Sequence, residues 1–154
     1  MLHGLDNLKE LKISGVKNIK SDIFENLSNL KRLYLDIRQK FIDDTIFKNL
    51  VNIEELLIQN NQTGIIKANF LPQQSKLKSL TMQDCTIGKV DPKAFSHLKQ
   101  LENVYLLNVG LDHIEKNTFE GLDKLKKVDL SYNKFPERHI FGLNGVDESI
   151  VHNF

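Results

Sequence analysis

Cysteine, tryptophan and proline are scarce in this chain of 154 residues, which holds one Cys, no Trp and three Pro. With Cys85 alone, no internal disulfide can form, so a disulfide-stapled small fold is excluded and cysteine usage carries no signal of compartment. An excess of one charge is missing too. The 21 Lys and Arg face 20 Asp and Glu, leaving +1, and the basic residues are scattered rather than striped, which disfavours nucleic acid as a partner. No apolar run reaches the roughly 18 residues of a membrane-spanning helix. The start, Met1-Leu2-His3-Gly4-Leu5-Asp6, lacks the charged and then apolar regions of an export signal.

Catalytic signatures are missing as well. His3, His97, His113, His139 and His152 are dispersed, with no HExxH, no Cys/His ligand spacing, no GxSxG and no glycine-rich phosphate loop. Asp43-Asp44 reads as part of a turn, and Asp112-His113 and Asp129 have no Ser or Cys nucleophile at a workable spacing. His97 and His113 read as surface histidines. The sequence therefore points away from an enzyme, a metal centre or any cofactor.

What the chain does have is an internal repeat. Leu77, Leu80, Met82, Cys85, Ile87, Val90, Phe95 and Leu98 return 24 residues later as Leu101, Val104, Leu106, Val109, Leu111, Ile114, Phe119 and Leu122, and Leu125, Val128, Leu130, Asn133 and Phe135 open another copy. The consensus is LxxLxLxxNxLxxIxxxxFxxLxx, and such a period has to be recognised before any other fold argument. Earlier units start at Leu8, Leu30 and Ile53, giving six repeats starting near 8, 30, 53, 77, 101 and 125 in a single solenoid over 1–154. Residues 2–8 match 119–125 position for position, with Leu2 where the Phe stands, so residues 1–7 read as the tail of a preceding repeat. Residues 136–154 read as a degenerate C-terminal repeat or cap, with Phe141, Leu143 and Val146 closing the sixth unit and Ile150 and Val151 starting a last strand.

Within each unit the second and third members of the apolar triplet are two apart, so both point to the same side of a short strand, and the first member closes the preceding turn. Phe24, Phe47, Phe70, Phe95, Phe119 and Phe141 form a second column on the far side of the coil. The Asn position holds Val16, Arg38, Asn61, Cys85, Val109 and Asn133. An Arg cannot be buried there without a partner, which predicts a displaced turn with Ile37 inward. Cys85 at that position reads as a small buried side chain rather than a reactive thiol. Gln62-Thr63-Gly64 reads as a turn, Ile66 as the next core residue, and a bulge is expected between residues 67 and 76.

This period, triplet and Phe column resemble the leucine-rich repeats of Toll-type receptor ectodomains and related secreted arthropod recognition proteins. The resemblance implies a right-handed solenoid of α/β repeat class, with a concave parallel β-sheet and a convex face of loops, turns and short helical segments. Extracellular members seal their ends with cysteine caps, and none is seen before Leu8 or after Val146. The reading that follows is a segment of a longer solenoid, or a short one whose ends another chain covers, with possible self-association through uncapped ends at Leu2 and Leu5.

On such a sheet the outward residues alternate with the core triplet. One outward column is Lys12, Tyr34, Leu57, Thr81, Tyr105 and Asp129, and the next is Ser14, Asp36, Gln59, Gln83, Leu107 and Ser131. Tyr34, Leu57, Tyr105 and Leu107 have no fold-level reason to be large and apolar there. With strands about 4.8 Å apart, Tyr105 would lie about 14 Å from Tyr34 across Thr81. Exposed apolar stripes mark interaction sites. The candidate partner-binding set is accordingly Tyr34, Asp36, Leu57, Gln59, Thr81, Gln83, Tyr105, Leu107 and Tyr132, with Asn103 and Asn108 adding to the polar rim. The partner would be another protein or peptide. Two sequons occur, Asn26-Leu27-Ser28 and Asn61-Gln62-Thr63; Asn61 falls at a buried position, leaving Asn26 as the possible glycosylation site. By resemblance the function is non-catalytic protein recognition of innate-immune receptor type, extracellular or secreted. The alternative is an intracellular, cytoplasmic scaffold or regulatory subunit, favoured by the shorter first units.

Overall fold

The computed structural model describes residues 4–20, 22–39, 42, 44–136 and 151–152. Strands β1 (Glu10–Val16), β2 (Arg32–Ile37) and β3 (Glu55–Gln59) come first, followed by β4 (Gly64–Ile66), β5 (Ser79–Gln83) and β6 (Ile87–Val90). The chain ends in β7 (Asn103–Leu107), β8 (Lys127–Asp129) and β9 (Val151–His152). They build a seven-stranded sheet in the order β1-β2-β3-β5-β7-β8-β9 and a two-stranded sheet of β4 and β6, and every pairing is parallel. Each strand of the large sheet lies beside the next unit's, so the chain winds as a solenoid of stacked coils. Leu2, Phe141, Leu143, Val146 and Ile150 lie outside the described residues.

Each coil closes in the same way. Leu8, Leu30, Ile53, Leu77, Leu101 and Leu125, the first members of the triplets, each donate a backbone N–H to the carbonyl three residues earlier, at 2.9–3.2 Å. The second and third members from β2 onward are buried: Leu33, Leu35, Leu56, Ile58, Leu80, Met82, Val104, Leu106, Val128 and Leu130 are all at most 2% exposed. On the far side Phe24 stacks on Phe47 with centroids 6.3 Å apart, and Phe95 on Phe119 at 6.0 Å. Among the described residues Phe70 joins neither stack. The expected bulge explains it: Asn69 and Leu71, on either side of Phe70, both take positive φ (62° and 60°), and Leu71 fills the core at 0% exposure. Gln74 stands where neighbouring coils have Leu27, Leu50, Leu98 and Leu122. It is 1% exposed and donates Nε2 to the Phe47 carbonyl at 2.7 Å.

The anomaly at Arg38 is resolved as its chemistry requires. Ile37 is fully buried, Arg38 is exposed, and the β1–β2 register shifts between Ser14 and Val16 so that Val16 pairs with Ile37. Gln39 then supplies the amide that the Asn position lacks, accepting Ile19 N–H on Oε1 at 2.8 Å. Cys85 is 4% exposed, its Sγ directed at the Gln83 carbonyl, and burial pushes its thiol pKa up. Three expectations are corrected. Gln62-Thr63-Gly64 is not wholly a turn, because Gly64 opens β4. His97 is not a surface side chain: it is half-buried and its Nε2 donates to the Leu71 carbonyl at 3.2 Å. Ser131, assigned to the outward column, is 9% exposed and turns its hydroxyl to Asp129 Oδ1 at 2.6 Å, because β8 ends two residues earlier.

Candidate functional site: the concave sheet and its rims

The strand register places the candidate residues in rows. Lys12, Tyr34, Leu57, Thr81, Tyr105 and Asp129 are successive partners across β1, β2, β3, β5, β7 and β8, and Ser14, Asp36, Gln59, Gln83 and Leu107 form the neighbouring row. Alternation puts both rows on the open face. Tyr34, Leu57, Thr81, Tyr105 and Leu107 are half-buried rather than freely exposed. The two tyrosines are covered locally. Lys12 Nζ lies 4.5 Å from the Tyr34 ring centroid and Lys127 Nζ 5.1 Å from that of Tyr105, in cation–π geometry. The Tyr34 hydroxyl donates to Gln59 Oε1. An open depression of about 270 Å³ follows the β1 end of this row, lined in part by Lys12, Tyr34, Leu57 and Thr81.

Two rims border the face. Before the strands run Lys31, Glu54, Lys78, Glu102 and Lys126, one per coil. Glu54 accepts Lys31 at 2.8 Å and Lys78 at 2.7 Å, and Glu102 accepts Lys126 at 2.6 Å. The two lysines hold the Glu54 carboxyl down to about 2. Beyond the strands, Asn60, Asp84, Asn108 and Tyr132 all adopt positive φ of 50–63°, and Gly15, near the end of β1, does so at 74°. Asn60 Nδ2 donates to Asp36 Oδ1 at 2.8 Å and Asn108 Nδ2 to Asp84 Oδ1 at 2.7 Å, so amides and carboxylates tie neighbouring coils. Asn108 and Tyr132 thus sit on left-handed turns at the rim, off the strands. Tyr132 is the most exposed large side chain there, at 75%.

Neither rim was drawn from the sequence as a unit. The signals were present: a Gly/Asn/Asp column at a 24-residue period marks left-handed turns, and a column alternating in charge sign marks an ion-pair ladder. Asp84 and Asn60 are the site residues missed this way. The sequons separate as expected from burial, with Asn26 exposed in the turn 22–26 and Asn61 at 1% exposure, donating to the Gln39 carbonyl at 2.6 Å. Among the described residues no three His, Cys, Asp or Glu side chains converge as metal ligands, and no helix is long and apolar enough to cross a membrane.

Comparison with known proteins agrees with this geometry. The leucine-rich repeat family model matches residues 75–135. Volume-regulated anion channel subunit LRRC8B of Mus musculus is 28% identical over 136 residues, covering 84% of this chain and 17% of its own. Toll-like receptor 3 of Bos taurus is 30% identical over 171 residues, covering 82% of this chain and 18% of the receptor. The crystal structure of a TLR13–ssRNA13 complex superposes with a TM-score of 0.77 at 26% identity, over 87% of this chain and 19% of that one. The chain therefore spans less than a fifth of each of these proteins. Periodic triplet, parallel sheet and family match converge on one conclusion: this is a leucine-rich repeat protein whose coils resemble those of Toll-type ectodomains.

Proposed function

We propose that the chain is a recognition segment of an extracellular or secreted receptor of innate-immune type, binding another protein or peptide on its concave face. The leucine-rich repeat fold supports a protein-recognition module. The observation that carries the concave assignment is the row Tyr34, Leu57, Thr81 and Tyr105, in register across four strands with their faces half open to solvent. Tyr at the centre of a partly desolvated patch is the composition of an energetic hot spot. The similarity to Toll-like receptor 3 and the exposed sequon at Asn26 favour the extracellular setting. The TLR13 complex contains RNA, yet the balanced charge of this chain gives a phosphate backbone no basic track to follow. An intracellular scaffold or regulatory subunit is the second reading, favoured by first units of 22 and 23 residues.

The test is affinity capture from native tissue or fluid, comparing the wild-type chain with a folded Tyr34→Ser, Leu57→Ser, Tyr105→Ser variant. A protein held by the first and lost by the second supports the concave face. Equal capture by both moves the site to the convex turns or the ends of the solenoid.

A further inference from the structure

The left-handed column at the far rim changes its chemistry at one point. Among the coils before it the second turns Ile37 inward at this position, and in the others the residue is Gly15, Asn60, Asp84 or Asn108, types that tolerate positive φ, with the amides tied to the coil behind. Tyr132 takes the same conformation at φ 63°, a rare state for a side chain of its kind, and holds its ring 75% exposed. The adjoining row changes in the same place. After Gln59 and Gln83 it reads Leu107, half-buried. Together Gln83, Asp84, Leu107, Asn108 and Tyr132 line an open notch of about 320 Å³.

We infer that this notch receives the guanidinium side chain of an arginine carried by a protein partner. This rests on the recognition role proposed above and names the chemistry of one contact within it. The chain has three tyrosines, all bordering the concave sheet. Two already carry a cation from their own chain, Lys12 over Tyr34 and Lys127 over Tyr105. Among the described residues no cation lies over the Tyr132 ring, which is 75% exposed. Beside it the Asp84 carboxylate is kept ionised by amide donors, chiefly Asn108, which hold its pKa below the usual carboxylate range. Its Oδ2 accepts from Gln83 at 3.1 Å and from Gln59 at 3.4 Å, long bonds that a shorter charge-assisted donor can displace. Asp36, in the outward row and bonded to Asn60 of the rim, adds negative charge two coils before Asp84. A flat cation with an apolar stem uses all three walls: methylenes on Leu107, guanidinium plane on Tyr132 and charge on Asp84. Lysine offers the charge without the plane.

The experiment is selection of random 12-residue peptides on the immobilised chain, run in parallel on wild type, Asp84→Asn, Tyr132→Asn and the Tyr34→Ser, Leu57→Ser, Tyr105→Ser variant. Asn is at home at positive φ and still accepts a hydrogen bond, so both single variants keep the turn. Wild-type peptides should share an arginine whose replacement by citrulline weakens binding about tenfold or more, and by lysine several-fold. Each single Asn variant should bind them about fivefold more weakly or worse. Peptides without shared arginine, equal binding of the citrulline or lysine forms, or indifference to Asp84→Asn and Tyr132→Asn overturns the inference. If the triple Ser variant alone loses binding, the concave reading survives and the arginine contact does not. If the single variants alone lose it, the reverse holds. An empty selection counts against both.

Discussion

At the scale of single residues, the hydrogen-bonded turn after each strand is held by few side chains, and Asn133 does the most. Its Oδ1 accepts the N–H groups of Val109 and Leu111, both at 3.1 Å, and its Nδ2 donates to the carbonyls of Leu106 at 2.6 Å and Leu130 at 2.8 Å. One side chain thereby satisfies the preceding coil as well as its own, which is how Val109 can occupy the Asn position and lie fully buried. Removing it strands several backbone groups at once, and each unsatisfied buried group costs about 1–3 kcal/mol. Asn133→Ala should lower stability by roughly 2–4 kcal/mol in urea unfolding, as a lower midpoint with unchanged slope. Asn108→Gly removes one exposed amide–carboxylate bond while keeping the left-handed turn at φ 50°, and its loss should stay at about 1 kcal/mol, the value of one hydrogen bond. Equal effects would show that the turn amide is not what holds the coil.

At the scale of elements, the phenylalanine column is two stacks separated by a detour. Phe95 packs within 9° of parallel on Phe119, whereas Phe70 is enclosed at 6% exposure between two left-handed residues. Phe95→Leu loses a ring contact of about 0.5–1.5 kcal/mol in addition to packing, and Phe70→Leu loses packing alone. Thermal unfolding should therefore rank Phe95→Leu as the more destabilising. The strand rims make a second element-scale prediction. Glu54 has a folded-state pKa of about 2 against an ordinary 4.5, because Lys31 and Lys78 both donate to it. Its contribution is fully present above pH 4.5 and is lost as pH falls toward 2. A Glu54→Gln chain should show a shallower acid limb than wild type over that window, with the difference shrinking in high salt because the ladder is solvent-exposed. What was legible in the sequence follows from the same contrast. Triplets, Phe positions and the inward turn of Ile37 are set by which side chains must leave water, and hydrophobicity is written locally. The role of Gln39, the β4–β6 pair and the Lys–Glu ladder depend on groups 20 or more residues apart meeting when coils stack. Tyr34 and Tyr105 were legible as outward aromatics, but not the lysines that cover them.

At the scale of the whole molecule, stability is a chain of neighbour contacts, and the first coil has a described neighbour on one side only. Its triplet shows this. Leu8, Leu11 and Ile13 are half-buried, whereas their counterparts Leu30, Leu33 and Leu35 are at most 2% exposed, and Leu5 stands 38% exposed nearby. β1 pairs with β2, leaving its other edge as the template for a further strand among the described residues. The proposal of self-association at this end follows from that edge and from the apolar surface beside it. Hydrogen exchange resolves it without disturbing the fold. In dilute solution the amides of β1 should exchange well before those of β5, which lies between two strands. Raising the protein concentration over two decades should slow Leu11 and Ile13 while leaving Leu80 and Met82 unchanged, with a matching rise in sedimentation coefficient. Exchange at Leu11 and Ile13 that does not change with concentration would mean that the edge stays unpaired by a second copy, and that its half-buried triplet is ordinary fraying at the end of a solenoid.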